Sequence, residues 1–184
     1  MSSISVPTRD QVDQKSAAIF DQLEKGIGFI PNLYATIGYS SDALERFLGF
    51  SGDAGKQTFS AKEIEAIKLA VSEVNGCAYC LAAHTAMAKM QGFSEEETFD
   101  LRTAASKDSR LRAITILARE VSANAGRASD AAKEAFFQEG FDQKSLIDLV
   151  AVVTSVTFTN YAFGLTEIPV DFPEAQPVSQ TAQV

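Results

Sequence analysis

The chain has 184 residues, 46% of them hydrophobic and 22% charged, with a net charge of -8. One soluble domain with a proper core is expected at this length. Two cysteines and one histidine exclude a disulfide-rich scaffold and a multi-zinc architecture. Without clustered Lys and Arg, nucleic acid and anionic membrane surfaces are poor partners. Met1 to Pro7 lacks the basic flank and apolar run of a signal peptide. Leu146 to Phe163 is the most apolar stretch, but Asp148 and its Ser, Thr and Asn residues argue against a membrane span. A reducing, cytoplasmic setting is therefore expected, where a CxxC pair is reactive rather than structural.

Capping signals divide the chain into successive helices. Thr8-Arg-Asp-Gln11 has the capping-box form and predicts a helix closed by Gly26. A connector, Gly26 to Asn32, leads to a short helix over Leu33 to Gly38. Another helix is expected from Asp42 to Gly49, then a loop from Phe50 to Phe59 around Gly52-Asp-Ala-Gly55. Ser60-Ala-Lys-Glu63 is a second capping box, and Ile64, Ile67, Ala70, Val71 and Val74 follow at helical spacing. Asn75-Gly76 interrupts, and a helix from Cys77 ends before Gly92. Ser94 and Glu97 form a third box, with Phe93 placed for a hydrophobic staple.

An apolar stripe from Leu111 to Val121, a short helix from Asp130 to Glu139 and a long helix from Asp142 to Phe163 complete the order. Gly164 is the expected stop. Val150 to Thr159 is rich in β-branched residues, yet no partner strand exists, so it reads as helix. From Glu167, Pro169, Pro173 and Pro177 predict an extended or disordered arm. The expectation is one all-α domain over residues 1–166, a compact helical bundle, with an arm over 167–184.

All the cysteine and histidine lies in Cys77-Ala-Tyr-Cys80-Leu-Ala-Ala-His84. At about 100° per residue, these three side chains fall within about 60° on one helix face. A thiol must ionise to be a nucleophile, and a helix N-terminus or a nearby imidazole favours the thiolate. The dipole favours Cys77 and the histidine favours Cys80, so position leaves the attacking thiol open. An acid that orients His84 would complete the set, and spacing leaves Glu65 and Glu73 equally placed. A zinc site from Cys77, Cys80, His84 and Glu65 has suitable donors. Structural zinc seldom takes two cysteines from one continuous helix at this spacing, so that reading is disfavoured.

The segment Glu63 to His84, with its Glu-x11-CxxC-x3-His pattern, resembles the alkyl hydroperoxidase D branch of the carboxymuconolactone decarboxylase superfamily. Ile30-Pro-Asn-Leu33 and Ile168-Pro-Val-Asp-Phe-Pro173 are similar to its peroxidase-related subgroup. The resemblance implies an all-α fold and a homo-oligomer, a trimer or a hexamer. It implies Cys80 as the peroxidatic thiolate, His84 and Glu65 as its relay and Cys77 as the resolving cysteine. The substrate would be an alkyl hydroperoxide, and an external dithiol or a lipoylated or thioredoxin-like protein would be the reductant. No cofactor and no metal are called for.

The founding hydroperoxidase has a histidine next to the second cysteine, where this chain has Tyr79, a poor proton acceptor at neutral pH. The ring-decarboxylating branch lacks the CxxC, so lactone decarboxylation is not expected. A non-catalytic oligomeric redox sensor or scaffold, and a general disulfide oxidoreductase, are the alternatives.

Overall fold

The computed structural model describes residues 4–178, and the last part of the expected arm lies outside them. Among the described residues the regular structure is helical: a 3-10 turn at Arg9–Gln11, then α1 (Gln14–Ile27), α2 (Asn32–Ile37), α3 (Ser41–Asp53), α4 (Ala61–Val74), α5 (Ala78–Met90), α6 (Glu95–Thr103), α7 (Ser109–Ala123), α8 (Asp130–Gln138) and α9 (Gln143–Thr166). The fold is the all-α bundle expected from the sequence.

α4 is the central helix and packs against α5, α6, α7 and α9. Its Ile67 and Val71 are fully buried with Ile114 and Leu117 of α7 and Leu149 and Val152 of α9. Burial of each such side chain stabilises by about 1.5–3 kcal/mol. A second cluster joins Phe20, Leu33 and Leu44 to Cys77, Tyr79, Cys80 and Ile168, so the cysteines belong to the core under α1–α3 and the arm. α9 has the length and hydropathy to cross a membrane, but Leu149, Val152, Val153 and Val156 are built into the main core.

Four boundaries differ from the sequence expectation. The Thr8 capping box forms, but it closes only the 3-10 turn; α1 starts afresh from Asp13, whose side chain accepts from Ser16 N. α1 also continues through Gly26 to Ile27, and Gly28, at φ +92°, makes the left-handed cap. The predicted loop after Gly49 is helical as far as Asp53, and Gly55, at φ +71°, is where the chain turns. A glycine inside a helix costs about 1 kcal/mol relative to alanine, too little to end α3. α9 likewise passes Gly164 and stops at Glu167, with φ +47°.

The third capping box forms at Ser94, but the position a staple would use is Thr98. Phe93 instead packs with Leu69, Ala88 and Leu101. The β-branched run is helix throughout, because its Val side chains fill the groove beside α4. Tertiary burial there overrides a weak propensity.

The arm is extended and packed. Ile168 is buried, and Asp171 Oδ2 accepts from Asn32 N at 2.8 Å. Buried Arg102 holds Glu73 at 2.7 Å and donates to the Gln176 carbonyl, also at 2.7 Å.

Candidate functional site

The site is built on the turn between α4 and α5. Asn75 caps α4, and Gly76, at φ +62°, reverses the chain. Asn75 Nδ2 donates to Asn160 Oδ1 at 2.8 Å, and Ser122 Oγ donates to Asn75 Oδ1 at 3.2 Å. Asn160 Nδ2 reaches Ser72 Oγ at 3.4 Å. This buried network ties the turn to α7 and α9, and therefore fixes where α5 begins.

Cys77 is the N-cap of α5 rather than its first helical residue. Its Sγ accepts from Cys80 N at 3.4 Å. Cys80 sits in the first turn, and its thiol donates to Thr159 Oγ1 at 3.5 Å. Both cysteines are free thiols, at 3% and 2% exposure. Reagents reach Cys80 through a cavity that it lines.

That cavity has a volume of about 110 Å³ and is lined by Cys80, His84, Tyr34, Lys68 and Thr159, with Phe172 and Met87 among its apolar walls. Cavities of roughly this size accept a benzene-sized molecule. Cys80 opens onto it.

His84 Nδ1 lies 2.8 Å from Glu65 Oε2, and Lys68 Nζ lies 3.3 Å from Glu65 Oε1. Glu73, the other candidate, is turned away to Arg102. Burial works against the Glu65 charge, but His84 and Lys68 outweigh it and hold the carboxyl at about 2. Glu65 is thus an anion that fixes the imidazole, leaving His84 Nε2 for the cavity. His84 and Cys80 share the cavity without a direct hydrogen bond.

The two thiols are unequal. The close contact with the Cys80 side chain, together with the backbone N–H groups of the α5 N-terminus, lowers Cys77. The same contact with Cys77 raises Cys80, and burial adds to it. In the resting pair the charge is therefore favoured on Cys77, while the access belongs to Cys80.

Tyr79, between the cysteines, is structural. Its hydroxyl donates to Asp171 Oδ1 at 2.6 Å and accepts from Leu33 N at 3.2 Å. Burial and then Asp171 raise its pKa, so it stays a phenol. Among the described residues no group of three or more His, Cys, Asp or Glu is placed to hold a metal ion.

The structure therefore brings together Glu65, Cys77, Cys80 and His84. It adds Tyr34, Lys68, Thr159 and Asn160, which the sequence reading did not single out. For Asn160 and Thr159 a signal existed: they are polar residues on the inward face of an otherwise apolar helix.

Residues 41–120 match the profile of the carboxymuconolactone decarboxylase family. Among solved structures, the chain is similar to an alkylhydroperoxidase AhpD core protein, an uncharacterized peroxidase-related protein from Ralstonia eutropha JMP134. Identity is 21%, the match covers 93% of this chain and 94% of that one, and the TM-score is 0.80. An uncharacterized peroxidase-related protein from Silicibacter sp. TM1040 is 21% identical over 94% of this chain and 93% of that one, with a TM-score of 0.77. The debrominase Bmp8 is 17% identical over 93% of each chain, also at 0.77. At such identities the likeness shows the fold. No curated protein matches the sequence.

Proposed function

We propose, from the match of residues 41–120 to the carboxymuconolactone decarboxylase family profile and from the alkyl hydroperoxidase D-like fold, that the chain is a thiol peroxidase that reduces alkyl hydroperoxides through Cys80 and Cys77. The observation that carries this reading is the Cys80 thiol at the wall of a small apolar cavity, beside the His84–Glu65 pair and one helical turn from a second free thiol.

The reaction runs as follows. His84, oriented by Glu65, takes the Cys80 proton as the sulfur attacks a peroxide oxygen. An S–O bond forms and the O–O bond breaks. The leaving oxygen receives the proton and departs as an alcohol, and Cys80 is a sulfenic acid. Cys77 attacks that sulfur, water leaves, and the disulfide forms. An external dithiol, either small or carried on a lipoylated or thioredoxin-like partner, restores both thiols. The reducing conditions of a cytoplasm suit that last step.

The apolar stripe of Ile147, Val150, Phe158, Tyr161 and Leu165 exposed on α9 supports a homo-oligomer, with a trimer or hexamer expected. Adding an alkyl hydroperoxide to reduced protein should give a Cys77–Cys80 disulfide by mass spectrometry and peroxide turnover when a dithiol is supplied. Absence of both the disulfide and peroxide consumption would overturn the reading.

The second reading is a non-catalytic redox sensor. Burial of both sulfurs favours it, since slow access suits stoichiometric oxidation. It predicts an assembly change on oxidation and no turnover under any dithiol.

A further inference from the structure

Two tyrosines flank the reactive thiol, and their hydroxyls are used differently. Tyr79 spends its hydroxyl on Asp171 and Leu33. Tyr34, on α2, lines the cavity together with Cys80 and His84. Its ring is held edge-on against Phe47, with centroids 5.9 Å apart, and Phe47 stacks on Phe158 of α9. The ring is therefore fixed while the hydroxyl has no protein hydrogen bond among the described residues. Thr85 Oγ1 is the sealed polar side-chain atom without a partner among those residues. The Tyr34 hydroxyl is not among such sealed atoms, and the residue lines the cavity.

Its surroundings set its protonation. Burial, with Cys80 and Glu65 adding to it, pushes Tyr34 up to about 12. The group is a donor across the physiological range. An unpaired donor in an apolar cavity beside a nucleophile is placed to bind charge that develops during reaction.

We propose that Tyr34 is a catalytic residue, its hydroxyl donating a hydrogen bond to the peroxide oxygen that leaves when Cys80 attacks. This rests on the peroxidase reading. When the Cys80 sulfur bonds to one peroxide oxygen, the O–O bond breaks and negative charge gathers on the other. Sulfur loses two electrons and the peroxide gains them. Tyr34 stabilises that oxygen and keeps its own proton; the proton removed from Cys80 by His84 ends on the alcohol. Lys68 is less suited to this task because its ammonium is engaged by Glu65.

The test compares wild-type protein with Tyr34→Phe, which keeps the ring against Phe47 and removes only the donor. Three reagents are used on the reduced proteins: cumene hydroperoxide, peracetic acid and iodoacetamide. With cumene hydroperoxide the leaving alkoxide is strongly basic, and Tyr34→Phe should oxidise Cys80 about a hundredfold more slowly. Peracetic acid expels a carboxylate, which needs little help, so its rate should fall by less than about fivefold. Iodoacetamide expels iodide, and alkylation of Cys80 should stay within about twofold. Equal slowing with all three reagents, or a cumene hydroperoxide rate within about twofold of wild type, overturns the Tyr34 assignment. A wild-type protein inert to both peroxides overturns the peroxidase reading itself, and the assignment with it.

Discussion

The Tyr79 hydroxyl donates to Asp171 at 2.6 Å, which joins the residue between the two cysteines to the C-terminal arm. Phe172 stands beside it, edge-on to the Tyr79 ring with centroids 5.6 Å apart, and also walls the cavity. The arm and the first turn of α5 are therefore held as one piece. Tyr79→Phe leaves Leu33 N without its acceptor in a buried place. The expected loss is about 1–3 kcal/mol, or roughly 2–12 °C in Tm for a chain of this size. Thermal unfolding checks it.

The Glu65–His84 pair predicts graded effects on thiol reactivity. His84→Ala should slow Cys80 alkylation at neutral pH by about tenfold or more, since the base is lost. Glu65→Gln should act in the same direction but less, because the imidazole remains and only its orientation and charge support are weakened. Alkylation followed by peptide mapping reads both. Unchanged reactivity in His84→Ala would remove the relay from the mechanism.

Glu65 also gives a pH dependence with a defined sign. Its folded-state pKa, about 2, lies below its ordinary 4.5. The ionised group therefore stabilises the fold above pH 4.5, and that contribution is lost as pH falls from 4.5 through about 2. Glu65→Gln has no such group to protonate. Wild type should lose more stability than Glu65→Gln across that window, as measured by urea unfolding at stepped pH. Parallel losses would count against the pairing.

Access and charge point to different cysteines, and single substitutions separate them. Cys80→Ser should abolish peroxide consumption, because Cys77 does not line the cavity. Cys77→Ser should still react once with peroxide and hold a sulfenic acid at residue 80 that a dimedone probe traps. The opposite pattern would make Cys77 the attacking thiol.

Two glycine substitutions test the revised end of α3. Gly52 is helical with open space around its Cα, so Gly52→Ala should stabilise by about 0.5–1 kcal/mol. Gly55 has φ +71°, and an added Cβ would lie 2.6 Å from Val152 Cγ2. Gly55→Ala should destabilise by about 1–3 kcal/mol. Chemical denaturation of both variants gives the two signs directly.

Helix order was legible because capping side chains and apolar spacing act locally. Ser60, Ser94 and Asp142 each cap the helix that their position announces. Helix ends were less legible: Gly26, Gly49 and Gly164 are weak breakers, overruled by packing or a later cap. In the site, the CxxC and His84 stand out through scarcity, but Glu65 and Glu73 differ only in what faces them across the fold. Tyr34 is more than forty residues from Cys80 in sequence, and nothing in its local pattern distinguishes it from a core tyrosine. Asp171 is equally silent until the arm is folded back over α2.

The Cys77 cap has a bearing on redox poise. In the reduced protein its sulfur can carry charge against the backbone N–H groups and the Cys80 thiol. In a disulfide the sulfur is neutral and that stabilisation is gone. The helix terminus therefore favours the dithiol and raises the reduction potential of the couple above that of an unperturbed pair. About 30 mV corresponds to each 1.4 kcal/mol of this preference. A disulfide set this way returns readily to the thiols, so the helix that arms the pair also helps an electron donor to reset it.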